Sequence, residues 1–141
     1  MSILVTGGAG FIGSHLLDRL VDLGRPAVCL DNFSDYYSPA RKRANVESAL
    51  QSEYVDLVEG DICDKSLCRT VFADHGVTGI VHLAARAGVR PSIEAPLLYE
   101  RTNCRGTINL LECAREAEIE MFVFGSSSSV YGWRENGRFS E

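Results

Sequence analysis

Two stretches of the chain carry residues whose types and spacing can do chemistry. In "ILVTGGAGFIGSHL" an apolar run leads into Gly7, Gly10 and Gly13, spaced three apart, and then into an amphipathic stretch. Glycines at this spacing suit a loop that holds a pyrophosphate. Gly7 permits a tight turn, Gly10 lets the backbone approach the phosphates, and Gly13 lets the next helix pack closely on its strand. The helix start then offers free N–H groups and the positive end of its dipole to an anion. No Gly-Lys-Ser/Thr follows, which excludes a nucleoside-triphosphate loop. Asp31 lies 18 residues past Gly13, at the end of the next apolar run. A carboxylate there accepts hydrogen bonds from ribose hydroxyls and repels a 2′-phosphate, so NAD is expected rather than NADP. "EGDI", with Asp61 and Ile62, follows the third apolar run.

The second stretch is "FVFGSSSSVYG", where Ser126 to Ser129 separate an apolar run from Tyr131. Composition alone would read four serines as a flexible linker. At the end of a strand they are instead hydroxyls at the edge of a sheet where ligands bind. Rival chemistries find little support. His15, His75 and His82 pair with no nucleophile in a known pattern, and G-x-S-x-G is absent. The five cysteines are odd in number and include no Cys-x-x-Cys, so neither a disulfide framework nor a metal site is expected. Tyr36 and Tyr37 read as solvated loop residues.

Short runs rich in Val, Ile, Leu and Phe must position these groups: Ile3–Thr6, Ala27–Asp31, Tyr54–Glu59, Gly79–Leu83 and Met121–Gly125. Such continuous runs suit strands buried on both faces of a parallel sheet. Helical stretches alternate with them. Gly10–Leu23 places Ile12, Leu16, Leu20 and Leu23 on one face and stops at Gly24; Asn103–Glu118 does the same with Ile108, Leu111 and Ala114. Pro39–Leu50 and Lys65–Asp74 complete the set. The alternation predicts an α/β fold with a doubly wound parallel sheet of the Rossmann kind.

Composition agrees with one soluble domain. The 141 residues are 45% hydrophobic and 23% charged, with net charge −5. An acidic balance argues against nucleic acid or an anionic membrane as partner. No apolar run reaches the roughly 18 residues of a membrane span. The chain opens directly into strand-like residues, and a cytoplasmic location is expected.

With these motifs in order, TGGAGFIGSHL, LDNFSDYYSP, EGDI, HLAARAGVRPSIEAP, NCRGTINLLE, SSSSVYG and FSE, the chain resembles the extended short-chain dehydrogenase/reductase family. More closely it resembles the NAD-dependent nucleotide-sugar epimerases and dehydratases, and most of all their UDP-glucuronate 4-epimerase branch. The resemblance implies that Gly7, Gly10, Phe11, Ile12 and Gly13 hold the pyrophosphate, Asp31 and Asn32 the adenosine ribose, and Asp61 and Ile62 the adenine. It assigns Leu83, Ala84, Ala85 and Ala87 to the path toward the nicotinamide ribose and Asn103 to support of the cofactor side. Ser127 falls on the catalytic Ser/Thr position, while Ser128, Ser129 and Arg90 would face the sugar. Arg86 stands where the family more often has a neutral residue.

The implied reaction passes through a 4-keto sugar: a tyrosine base takes the O4 proton and hydride leaves C4, then returns to its other face. The base belongs to Tyr-x-x-x-Lys. Tyr36, Tyr37, Tyr54, Tyr99 and Tyr131 are followed four positions later by Ala40, Arg41, Val58, Asn103 and Glu135, so the motif is absent from these residues. Residues 1–141 are therefore expected to be an NAD-binding domain incomplete at its C-terminus. The substrate-binding region would be missing, the chain inactive alone, and apolar surface left on the outer sheet face. The full-length protein is expected to be a homodimer acting on a UDP-sugar. A UDP-galactose epimerase, a UDP-glucuronate decarboxylase and a non-catalytic NAD-binding module are the alternatives.

Overall fold

The computed structural model describes residues 1–132; the Phe139-Ser140-Glu141 match lies outside them. Five strands form one parallel sheet: β1 (Ser2–Thr6), β2 (Ala27–Asp31), β3 (Val55–Glu59), β4 (Val77–His82) and β5 (Met121–Phe124). Their spatial order is β3-β2-β1-β4-β5. The chain therefore runs outward from β1 to β3, then crosses back to β4 and β5. The reversal leaves a crevice beyond the C-terminal ends of β1 and β4, where open α/β sheets bind ligands. Every residue of β2 is buried, as expected for a central strand covered on both faces.

Helices α1 (Phe11–Asp22) and α2 (Pro39–Leu50) cover one face with a core built on Val5, Leu17, Cys29 and Val46. On the other face lie α3 (Lys65–Asp74) and α6 (Thr107–Glu116), over Leu4, Leu30, Ile80 and Leu110. Two short helices, α4 (Val89–Glu94) and α5 (Pro96–Tyr99), follow β4 and were not apparent from periodicity. A π-helical turn, Glu100–Gly106, runs from α5 into α6.

Two helices present different faces from those the apolar spacing suggests. In α1 the buried residues are Gly13, Ser14, Leu17 and Leu20, while Ile12 and Leu23 are exposed. Gly13 must face the glycine loop for α1 to sit close to β1, and this turns the helix by one residue, about 100°. In α6 the core takes Leu110, Cys113 and Ala114, leaving Ile108 and Leu111 exposed. The π-helical turn before α6 adds to the rotation, since each of its hydrogen bonds spans one more residue than an α-helical one.

Candidate functional site

The glycine loop is built as its spacing requires. Gly7 has φ +66° and donates its N–H to Leu30 O at 2.8 Å, turning the chain off β1. A Cβ at Gly7 would lie 2.7 Å from Ala84 N, and one at Gly13 would lie 2.7 Å from Gly8 Cα. The loop thus lies directly against the end of β4 and the start of α1. Helices α2 and α3 are capped by the Ser38 and Asp64 side chains, whereas no side chain caps α1. Its first N–H groups are left for a ligand or water. Phe11 and Ile12, at this helix start, are exposed.

Asp31 ends β2 beside that loop. Its Oδ2 accepts the Ala9 N–H at 3.1 Å and its Oδ1 the Phe33 N–H at 2.8 Å. Lys42 Nζ lies 3.6 Å from the same Oδ1 and donates to Ser34 Oγ at 3.3 Å. Both members of the pair are buried. The motifs gave no sign of Lys42. A signal was present in helical spacing, because Lys42, Val46 and Ala49 form the buried face of α2 and a lysine there needs a partner.

Asn32 donates to Asp61 Oδ2 at 3.3 Å, joining the ends of β2 and β3. Burial acts to raise the Asp61 carboxyl, but hydrogen bonds from Cys63 and Asn32 outweigh it and hold it below the usual range. Ile62 packs in the core beside Gly106. Gly7, Gly10, Asp31, Asn32, Lys42, Asp61, Ile62, Leu83, Ala84 and Ala85 line one cavity of about 130 Å³ that opens to solvent. Tyr36 and Tyr37 line it too. They are thus not simply solvated: Tyr36 Oη donates to Ala87 O at 2.9 Å and Tyr37 Oη to Ala9 O at 3.4 Å.

A second, wider depression adjoins the first across Leu83–Arg86. Ala87, Asn103, Ser126, Ser127 and Ser129 line it. Asn103 Oδ1 accepts the Arg86 N–H at 2.8 Å and its Nδ2 donates to Arg86 O at 2.9 Å, so one side chain clamps one peptide unit on each side of Arg86. Ser127 precedes a single 3₁₀ turn, Ser128–Tyr131, and its Oγ accepts the Ser129 N–H at 3.3 Å. Two of the expected sugar-facing residues stand apart: Arg90 is exposed on α4, and neither Arg90 nor Ser128 lines the depression.

His82, which borders the second depression, is held in a directed hydrogen-bond chain. Thr107 Oγ1 donates to Asn103 O at 2.6 Å, so toward His82 Nε2, 2.9 Å away, it accepts. His82 Nδ1 is then the acceptor for Thr6 Oγ1–H at 2.6 Å, and Thr6 Oγ1 accepts the Ala84 N–H at 3.2 Å. The neutral ring fits this chain and the imidazolium does not. Burial lowers the His82 pKa to about 4. The unfolded chain takes up this proton near 6.5. Stability from the neutral ring is therefore complete above pH 6.5 and is lost as pH falls toward 4. Thermal melts should show a loss of about 2 kcal/mol by pH 5. His82→Gln should flatten that slope.

The model of the NAD dependent epimerase/dehydratase family matches residues 3–141. UDP-glucuronate 4-epimerase 1 of Arabidopsis thaliana is 45% identical over all of this chain, which covers 33% of that protein. UDP-glucose 4-epimerase of Erwinia amylovora is 42% identical over 94% of the chain, covering 38% of its own length. Among solved structures, UDP-glucuronic acid 4-epimerase from Bacillus cereus, in complex with UDP-glucuronic acid and NAD, superposes with a TM-score of 0.88 at 34% identity. That match covers all of this chain and 44% of the solved one. The chain thus spans about a third of the curated relatives it matches. On a family match that runs from β1 beyond the serine run, the chain belongs to the NAD dependent epimerase/dehydratase family.

Proposed function

We propose that these residues are the cofactor-binding N-terminal part of a nucleotide-sugar 4-epimerase acting on UDP-glucuronate, and that they bind NAD in the cleft at the ends of β1, β2 and β4. The observation that carries this reading is the meeting of an uncapped α1, a glycine loop with no room for a side chain, and the buried Asp31 carboxylate around one cavity. The residues fit the cofactor in kind. Gly7 and Gly13 keep the backbone close, the Phe11 and Ile12 N–H groups face the pyrophosphate, and Gly10 precedes them as the helix cap. Asp31 and Asn32 take the ribose hydroxyls and Asp61 and Ile62 border the adenine. Lys42 neutralises Asp31 and fixes its orientation.

Bound NAD supplies a reversible hydride acceptor for the sugar C4. Leu83, Ala84, Ala85 and Ala87, with small or apolar side chains, wall the cleft between its two halves and exclude water. Asn103 holds that wall through the Arg86 backbone. Ser127 Oγ accepts from the Ser129 N–H, which leaves its own proton to donate to the sugar O4. Ser129 lines the depression proposed for the sugar; Ser128 and Arg90 lie outside it in this structure, and their assignment to the sugar rests on the resemblance alone. The base and the remaining substrate contacts are assigned to residues outside these 141, as are most contacts of a homodimer. The exposed Leu97, Ile108 and Leu111 add apolar surface for such pairing. No helix among the described residues is long and apolar enough to cross a membrane.

Two measurements test this. Calorimetry should show NAD binding at least on the order of tenfold tighter than NADP, because Asp31 faces the 2′-phosphate. Equal affinities would contradict the assignment of Asp31. For the substrate, the full reading frame that contains these residues should convert UDP-glucuronate to its 4-epimer, followed by proton NMR of the sugar. Faster turnover of UDP-glucose would favour the second reading, which the Erwinia amylovora relative supports.

A further inference from the structure

The loop after β4 is fastened from both sides of the cleft, and the two sides are fastened differently. On its own side, Asn103 grips the Arg86 backbone at both N–H and C=O. Tyr99, buried on α5, donates its hydroxyl to Ala87 O at 2.6 Å. From the opposite side, Tyr36 in the loop between β2 and α2 donates to the same Ala87 O at 2.9 Å. Among the described residues, the Tyr36–Ala87 contact is the one hydrogen bond joining the loop after β2 to the loop after β4. Tyr36 lines the same cavity as Gly7 and Gly10, and Ala87 lines the depression that adjoins it.

We infer that Tyr36 is a positioning residue that ties the two banks of the cleft together across the dinucleotide and slows its release. This rests on the NAD reading above. The chemistry suits a tie that opens and closes. A carbonyl oxygen has two lone pairs, and Tyr99 keeps one of them satisfied when Tyr36 leaves. Tyr36 is 48% exposed, so its hydroxyl exchanges Ala87 for water at little cost. Asn103 and Tyr99 keep the acceptor in place whether the tie is made or not. The banks can therefore part without disturbing the core, and they close on an acceptor already in position.

The test is the dissociation rate of NAD from the 141-residue chain, measured by rapid dilution or chase, for the unsubstituted protein, Tyr36→Phe and Tyr99→Phe. Tyr36→Phe should release NAD about five- to tenfold faster, the factor one net hydrogen bond is worth, with an unchanged melting temperature. Tyr99→Phe should lower the melting temperature and raise the release rate less than Tyr36→Phe does. An unchanged release rate in Tyr36→Phe, with NAD bound normally by the unsubstituted chain, overturns the tie alone. Equal acceleration in both variants also overturns it, because loop rigidity rather than the crossing bond would then set the rate. If the unsubstituted chain binds no NAD, the cofactor reading falls and the tie falls with it.

Discussion

Asp31→Ala should destabilise the protein by roughly 3–5 kcal/mol, the usual cost of removing one partner from a buried ion pair, and abolish measurable NAD binding. Two effects combine. Lys42 would be left buried with the Ser34 hydroxyl and the Tyr37 ring but no counter-charge, and the Ala9 and Phe33 N–H groups would lose their acceptor. The cleft would also lose the carboxylate proposed to hold the ribose. Asp31→Ala with Lys42→Met separates the two. Removing both charges should restore much of the melting temperature, because matched apolar replacement of a buried pair is often neutral. It should not restore binding. If the double variant binds NAD like the unsubstituted chain, Asp31 is a structural anchor and not a ribose ligand.

Gly13→Ala is the second large effect, and its sign is informative. Gly13 lies in the first turn of α1. In an ordinary helix interior, replacing glycine by alanine stabilises by roughly 0.5–1 kcal/mol. Here the new Cβ would press on Gly7 O and lie 2.7 Å from Gly8 Cα, both backbone atoms that cannot rotate away. Overpacking of this kind costs roughly 1–3 kcal/mol. The helix can relieve it only by moving off the loop, which takes its N–H groups away from the proposed pyrophosphate site. The variant should melt earlier and lose NAD affinity by at least on the order of a hundredfold, close to 3 kcal/mol. A higher melting temperature with normal binding would show that the close approach is not needed.

The sheet was legible because each strand is a continuous apolar run bounded by turn residues, and the glycine loop because its spacing has a mechanical reason. The helix faces were less legible. Ile12, Leu23, Ile108 and Leu111 fit an apolar stripe by spacing, yet they are exposed. In α1 the requirement that Gly13 face the loop overrides hydrophobic count. In α6 the preceding π-helical turn shifts the register, and no single-residue propensity announces such a turn. Lys42 escaped notice because a lysine at a helix start reads as a solvated charge until Asp31 is placed beside it. Tyr36 and Tyr37 read as loop residues for a similar reason: their acceptors, Ala87 and Ala9, are far away in sequence. Asn103 was placed near the cofactor by resemblance alone, and its clamp on Arg86 depends on the π-helical turn, which only the folded backbone displays.

The proposed seat of the dinucleotide is the line formed by the C-terminal ends of β1, β2 and β4. Backbone amide NMR during NAD titration of the 141-residue chain tests it most directly. Saturable shifts should appear at Gly7–Gly13, Asp31–Asn32, Asp61–Ile62 and Leu83–Ala87, with α3 and the outer face of α6 unmoved. A folded chain whose spectrum does not respond to NAD, or responds only away from the glycine loop, would contradict the account.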